Sequence, residues 1–354
     1  MNLWNYGALR SRGIMSNSRV DAVNMNKEDD LNRMHDMIDG KVLYSASCLL
    51  CPQHCYLRQG QSGRCHAREN RQGEVVSLTY GEAAAWNLDP IEKKPLYHFY
   101  PGSWIFSVGG FGCNLSCSFC QNYEISQERQ IGKKVTPLEL AKQAQNSLGL
   151  CFTYSEPSVW FEMIRDTAPL VRAKGGKVVL VSNGIISPQF LEELIPWLDA
   201  VNIDIKAFSE EFYRKYCGGK LAWVLDNVAR LAGRVHLEIT TLVVPDANDD
   251  PVEINGLARW LNQLNVPLAW HLSRYHPAYR LTIPPTERRT LTRLESIAKE
   301  WLPYVYLGNV SGGNTTFCPQ CGTPVILREP VLVNHLEHGK CPKCGNVIFG
   351  VGLG

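Results

Sequence analysis

The sequence predicts an α/β fold: a partial (β/α)6 TIM-type barrel with small cysteine-rich metal modules at the N- and C-terminus. Three observations carry this. From about residue 104, short Val- and Ile-rich runs alternate six times with helix-like stretches, which implies a parallel sheet with helical crossovers. No G-x-G-x-x-G follows the first run, so the fingerprint of a doubly wound dinucleotide-binding sheet is missing. Eleven of the thirteen cysteines fall into three tight groups, in patterns typical of metal ligands.

The elements follow in order. Trp104-Ile105-Phe106-Ser107-Val108, bounded by glycines, reads as the first strand. Thr136-Pro137-Leu138-Glu139 then opens a helix, with Thr at the N-cap, Pro at N1 and Glu at N3. Further strands are expected at 150–154, 177–182, 201–205, 235–244 and 268–272. The helices between and after them fall at 158–174, 188–197, 209–232 (broken at Gly218-Gly219), 252–264 and 286–301. Tyr304-Val305-Tyr306-Leu307 closes or flanks the sheet. This divides the chain into a flexible tail or early start over 1–40, a four-cysteine module over 41–80, a connector over 81–104, the barrel over 105–312 and a zinc ribbon over 313–354.

Composition excludes several classes. The 354 residues are 45% hydrophobic and 20% charged, which is ordinary for a globular protein and unlike a disordered one. A net charge of +2 gives no basic footprint, so nucleic acid is not indicated. No apolar run reaches the roughly 18 residues that cross a bilayer. Close C-x-x-C pairs in a long chain without a secretory signal point to metal rather than disulfides, and to the cytoplasm.

In a barrel of this kind the chemistry sits at the carboxyl ends of the strands. Polar groups recur there: Cys113, Cys117 and Cys120 after the first strand, Thr153, Tyr154 and Glu156 after the second, Ser182 and Asn183 after the third. Asp204 and Lys206 end the fourth, Thr240 and Thr241 lie on the fifth, and His271 on the sixth. Cys113-x3-Cys117-x2-Cys120 offers three thiolates, one fewer than a ferredoxin-type [4Fe–4S] cluster uses, and so leaves one iron open to a reactant. A zinc site, or a cluster with a distant fourth cysteine, is the plainer alternative.

That triplet resembles the signature of the radical S-adenosylmethionine (SAM) superfamily. The chain further resembles the pyruvate formate-lyase activating enzyme branch, and within it the AmmeMemoRadiSam system radical SAM enzymes. The stretches that carry this are DPIEKKPLYHF (89–99), CNLSCSFCQNYEISQ (113–127), TYSEP (153–157), LDAVNIDIKAF (198–208), EITTLVVPDAND (238–249), WHLSRYH (270–276) and YVYLGNV (304–310), so the likeness covers residues 44–354. It implies that Cys113, Cys117 and Cys120 ligate a [4Fe–4S] cluster whose fourth iron takes SAM. It also implies that Phe119, Glu156, Asn183, Asp204, Lys206 and His271 contact SAM. TYSEP departs from the superfamily's glycine-rich segment, which puts the role of Glu156 in doubt. Read as bare residues, Asp204–Lys206 also fits a rim salt bridge, and His271 a satisfied interior histidine.

Cys318-Pro-Gln-Cys321-Gly and Cys341-Pro-Lys-Cys344-Gly form the zinc-ribbon pattern, and His335 and His338 between them read as exposed. Cys48, Cys51, Cys55 and Cys65 are less regular; zinc is expected there too, with an auxiliary iron–sulfur cluster as the rival. Cys151 reads as a buried strand residue and Cys217 as a loop thiol.

The function expected is reductive SAM cleavage to a 5′-deoxyadenosyl radical that abstracts hydrogen from an unidentified substrate, fed by a one-electron donor such as flavodoxin or ferredoxin. Memo-like and AMME-type partners are implied by the subfamily. The alternatives are a glycyl radical enzyme activase, and a non-catalytic iron–sulfur or zinc scaffold or electron-transfer protein.

Overall fold

The computed structural model describes residues 33–38, 41–128 and 132–354, with backbone alone for 33–38 and 41–43. Most of the expected tail therefore lies outside the described residues. Arg33–Ile38 (β1) does not behave as tail: it pairs antiparallel with Lys41–Ser47 (β2), which pairs with Tyr56–Arg58 (β3). Arg68–Arg71 (β4) and Glu74–Ser77 (β5) form a hairpin beside them, and Glu82–Ala83 (β6) pairs with Lys133–Lys134 (β9).

The central sheet has eight strands. Seven are parallel and adjacent in sequence order: Trp104–Gly109 (β8), Gly149–Phe152 (β10), Lys177–Ser182 (β11), Ala200–Asp204 (β12), His236–Val243 (β13), Ala269–Arg274 (β14) and Val305–Gly308 (β15). Six helices cross between them: Pro137–Gln143 (α1), Phe161–Arg172 (α2), Pro188–Leu194 (α3), Leu221–Leu231 (α4), Pro251–Gln263 (α5) and Arg288–Lys299 (α6). The sheet stays open, with β15 at one edge, so the Tyr304–Leu307 run flanks rather than closes it. The cause of the curl and crossovers is local and repeated. Each strand is a run of buried apolar residues, such as β11, and each helix turns one apolar face inward, as α4 does with Leu221, Val224, Val228 and Leu231. The cap expected at residue 136 is present: Thr136 Oγ1 accepts from the Glu139 N–H at 3.2 Å while Glu139 Oε2 accepts from the Thr136 N–H at 2.7 Å.

The eighth strand, Ala85–Pro90 (β7), pairs antiparallel with β8 inside the stretch expected as a connector. Its Ala, Asn, Asp and Pro residues carry weak β-propensity, and Trp86 and Leu88 face outward. What fixes it is the DPIEKKPLYHF segment. Asp89 is buried, and burial alone would raise its carboxyl. Lys94 Nζ at 2.8 Å, the Tyr154 hydroxyl at 2.5 Å and Lys93 at 3.2 Å instead hold it at about 2.

The same segment builds the barrel floor. The Tyr97 and His98 N–H groups donate to the buried Glu238 carboxylate at 3.0 and 2.8 Å, and His236 Nε2 and His271 Nε2 meet it at 3.0 and 2.7 Å. His98 bridges the Tyr306 hydroxyl and the Phe349 carbonyl, each at 2.6 Å.

Burial pushes His98 down to about 4. A histidine lowered on folding binds its proton more readily when unfolded, so stability present at neutral pH is lost as pH falls from about 6.5 towards 4. Between pH 7 and 4.5 this residue should cost roughly 2–3 kcal/mol. Urea unfolding at both pH values checks it: the pH dependence should flatten in His98→Gln, and an unchanged dependence in that variant would refute the assignment.

Candidate functional site

A cavity of about 320 Å³ opens at the carboxyl ends of the parallel strands. Its lining collects one contribution from nearly every strand end: Cys113, Cys117, Phe119 and Cys120 after β8, Thr153 to Glu156 after β10, Ser182 and Asn183 from β11, Asp204 and Lys206 from β12, Thr240 from β13 and Ser273 from β14. Cys113, Cys117, Cys120, Phe119, Glu156, Asn183, Asp204 and Lys206 are thus brought together.

His271 is not. It lies two residues earlier on β14 than Ser273, on the same face but deeper, where Glu238 holds its Nε2 and it packs edge-on to Tyr97 and face-on to Tyr306. His271 therefore does not line this cavity: its place on β14 sets it one layer below the rim, where Glu238 satisfies it.

The loop from 113 to 120 is held at many points. Gly112 sits at φ +94°, and a Cβ there would come 2.4 Å from the Cys65 carbonyl, so only glycine lets the loop leave β8 against the N-terminal module. Ser116 and Ser118 N–H donate to the Cys217 and Tyr216 carbonyls at 2.8 and 2.9 Å, and Gln127 Nε2 to the Leu115 carbonyl at 3.0 Å. The sulfurs point into donors: the Leu115 N–H reaches Cys113 Sγ at 3.4 Å, Asn183 Nδ2 lies 3.6 Å from the same sulfur, and Ser126 Oγ lies 3.3 Å from Cys120 Sγ.

Cys217, read from sequence as a loop thiol, is buried against Cys117, and its S–H is the main cause that lowers the Cys117 thiol. Its spacing of a hundred residues from the triplet gave no sequence signal.

Charge is balanced across the cavity. Burial alone would lower Lys206, yet Asp204, 2.7 Å away, and the nearby Cys117 hold it well above the ordinary lysine value. The site therefore presents a fixed cation beside three thiols. Glu156 spends its carboxylate internally: Oε1 accepts from the Ser158 N–H at 2.9 Å and Ser182 Oγ at 2.7 Å, and Oε2 from the Asn183 N–H at 2.8 Å. It ties the ends of β10 and β11 and sets Asn183, whose Nδ2 also donates to Asn114 Oδ1 at 2.9 Å. Phe119 packs on Phe212 with ring centroids 5.8 Å apart.

At the other end of the chain, Cys318, Cys321, Cys341 and Cys344 have all four sulfurs within 4.8 Å of one another. Cys318–Cys344 and Cys321–Cys341 are each 3.6 Å apart. A tetrahedral ion with Zn–S bonds of about 2.3 Å sets sulfurs about 3.8 Å apart, so the donor set fits one such ion. The two knuckles share one geometry: Gly322 and Gly345 occupy the left-handed region at φ +70° and +73°, and each donates back to the first cysteine of its knuckle. His335 and His338 are exposed, as expected. The segment Thr316–Phe317 (β16), Pro324–Leu327 (β17) and Val333–Asn334 (β18) frames the site. Cys151 is a buried strand residue. Among the described residues no helix is long and apolar enough to cross a membrane.

Residues 107–255 match the family model described as the radical SAM superfamily. An uncharacterized protein of Methanocaldococcus jannaschii is 38% identical over 317 residues, 85% of this chain and 94% of that one. A second protein of that organism, described as a candidate glycyl-radical enzyme activating enzyme, is 22% identical over 57% of this chain and 88% of its own. Among solved structures, a radical SAM methyltransferase from Sphaerobacter thermophilus superposes with a TM-score of 0.48 at 14% identity, covering 85% of this chain and 86% of that one.

Proposed function

We propose a reaction from one premise: the chain belongs to the radical SAM superfamily. It is a radical SAM enzyme, and the family implies a [4Fe–4S] cluster and SAM. In our reading Cys113, Cys117 and Cys120 hold the cluster. The observation that carries this is three buried or half-buried thiols facing a cavity that also presents Lys206, Asp204 and Asn183. The donor set suits a cluster with one open iron, because three thiols rather than four face the cavity.

A cluster held by Cys113, Cys117 and Cys120 would supply the single electron that cleaves the sulfonium of SAM reductively to methionine and a 5′-deoxyadenosyl radical able to abstract hydrogen. The chain's residues do the positioning. In this reading Lys206 pairs with the SAM carboxylate, Asp204 with its ammonium or ribose hydroxyls, and Asn183 with a hydrogen-bonding edge. Glu156 acts through Asn183, and Phe119 gives the adenine an apolar wall. Strand ends and the loop above them exclude water from the radical.

The substrate is a further step. Partnership with Memo-like and AMME-type proteins, with flavodoxin or ferredoxin as donor in the cytoplasm, is the reading we favour, because two extra cysteine modules exceed what a simple activase needs. Activation of a glycyl radical enzyme is the second reading, supported by the description of the 22%-identical relative. Both require SAM cleavage; a scaffold or electron-transfer protein does not.

The test is anaerobic reconstitution with iron and sulfide, then SAM and dithionite, with 5′-deoxyadenosine and methionine measured. Equal production of both is expected. A fully loaded cluster that neither cleaves SAM nor changes its spectrum on SAM addition would refute the reading. Within it, Cys217→Ala should leave cluster content unchanged and lower the cluster potential by roughly 20–60 mV, the one-electron equivalent of one hydrogen bond to a sulfur. An unmoved potential would remove Cys217 from the site.

A further inference from the structure

The N-terminal four-cysteine module is where the structure goes beyond this reading. Cys48, Cys51 and Cys65 are buried, Cys55 is half-buried, and none forms a disulfide. The chain folds them together: the Cys48 N–H donates to the Cys55 carbonyl at 2.9 Å, the His54 N–H closes a turn on the Cys51 carbonyl at 3.1 Å, and Gly63, at the turn that leads into Cys65, lies against the Cys55 sulfur. The N–H groups of Leu50, Gln53 and Ala67, each two residues on, lie on the side of Cys48, Cys51 and Cys65. The same two-residue arrangement serves Cys113 through Leu115 and Cys344 through Asn346.

Two observations separate this site from a zinc site. The first is spacing. Among the described residues, Cys318, Cys321, Cys341 and Cys344 are the one group whose sulfurs all lie within 4.8 Å. The same fold thus draws four thiols tight where one ion suffices, and leaves the N-terminal four spread, as it leaves Cys113, Cys117 and Cys120. Zinc requires sulfurs about 3.8 Å apart. In a [4Fe–4S] cluster each cysteine takes its own iron, and the sulfurs stand correspondingly wider. The second is Arg68. Its side chain is 5% exposed, and Glu162 takes both terminal nitrogens at 2.6 and 2.5 Å. Its Nε is buried with no partner, and its charge acts on Cys48 and Cys65. A buried N–H left without an acceptor on the side of Cys48 and Cys65 fits the sulfide or thiolate surface of an anionic cluster.

The module is also seated on the loop of the first site. Gln53 Nε2 donates to the Asn114 and Gly218 carbonyls, both at 3.0 Å, Arg64 Nη2 to Ser116 Oγ at 3.2 Å, and the Cys65 carbonyl abuts Gly112. We propose that Cys48, Cys51, Cys55 and Cys65 bind a second iron–sulfur cluster, in place of the zinc the sequence suggests, lodged against the loop that carries Cys113, Cys117 and Cys120.

The test uses the full chain, reconstituted anaerobically with iron and sulfide. The triple variant Cys113→Ala/Cys117→Ala/Cys120→Ala should keep iron and inorganic sulfide in equal amounts, with an electron paramagnetic signal on reduction. Adding Cys51→Ala should remove them. Zinc should stay at one per chain throughout, which reports that the C-terminal module is still folded. Two zincs and no iron in the triple variant would overturn the proposal. Should the triple variant fail to fold, the intact chain decides: about eight irons, falling by half in Cys51→Ala, supports it, and about four irons unchanged in Cys51→Ala overturns it. Iron held without the first triplet is read independently of SAM cleavage, so failure here and failure of the catalytic reading are told apart.

Discussion

Cys113→Ala, Cys117→Ala and Cys120→Ala should each bring 5′-deoxyadenosine formation to background while the chain stays folded. The loss is near total because the three thiolates act as one unit: removing any one leaves an iron without a protein ligand, and the effects of further removals do not add. Folding should survive because the loop is fixed by its backbone rather than by the sulfurs. Ser116, Ser118 and Gly112 are tied to Cys217, Tyr216 and Ile125 through main-chain hydrogen bonds that alanine leaves intact. Cys117 carries one complication. The Cys217 thiol lies next to it and is a spare ligand for the empty position. Cys113 Sγ faces the Leu115 N–H and Asn183 Nδ2 instead, with no such substitute among its hydrogen-bond partners. Cys113→Ala is therefore the stricter test, and product persisting in it would overturn the assignment. Iron should fall by one cluster's share, not to zero, if the N-terminal module holds its own.

What the sequence carried, and what it did not, follows from the range of the interactions. Strands such as 177–182 and the cap at Thr136 depend on neighbours a few residues away, so their pattern is visible in the chain itself. The strand-end groups Asp204, Lys206 and Asn183 were legible once the strands were, because parallel strands end at one rim. Three features were not. β7 pairs with β8 although most of its residues disfavour strands, since Asp89 is locked by Lys94 and by Tyr154, the latter 65 residues away. His271 looked like a rim residue and is turned into the floor by Glu238, a partner 33 residues away. Cys217 meets Cys117 only through the turn at 213–217 that clamps the loop. In each case a long-range contact decides between roles that local pattern leaves equal.

Stripping the metal from Cys318, Cys321, Cys341 and Cys344, for which we propose zinc, should unfold residues 313–354 and then loosen the barrel floor. The local core is small, built on Val325, Ile326, Ile348 and Leu353 with Tyr304 and Tyr306. A structural four-thiolate zinc contributes about 10–16 kcal/mol, far more than so few side chains supply. The floor depends on this module at specific atoms. Arg328 Nη2 donates to the Tyr97 carbonyl at 2.6 Å, the Phe349 carbonyl meets His98 Nδ1 at 2.6 Å, and the Val351 N–H and carbonyl pair with His98 and Tyr100 at 2.8 and 2.7 Å. The Phe349 ring stacks on His236 at 5.1 Å. Without them His98 regains water, and the cause that holds it near 4 disappears. Chelation, or Cys341→Ser, should therefore do three things together: release one metal ion per chain, open 313–354 to protease, and flatten the acid-induced loss of stability between pH 6.5 and 4. The last effect separates uncapping from mere local unfolding, because it reports a histidine more than two hundred residues from the ligands. A stripped protein that kept both its protease resistance and its acid sensitivity would show that the floor stands without the ribbon.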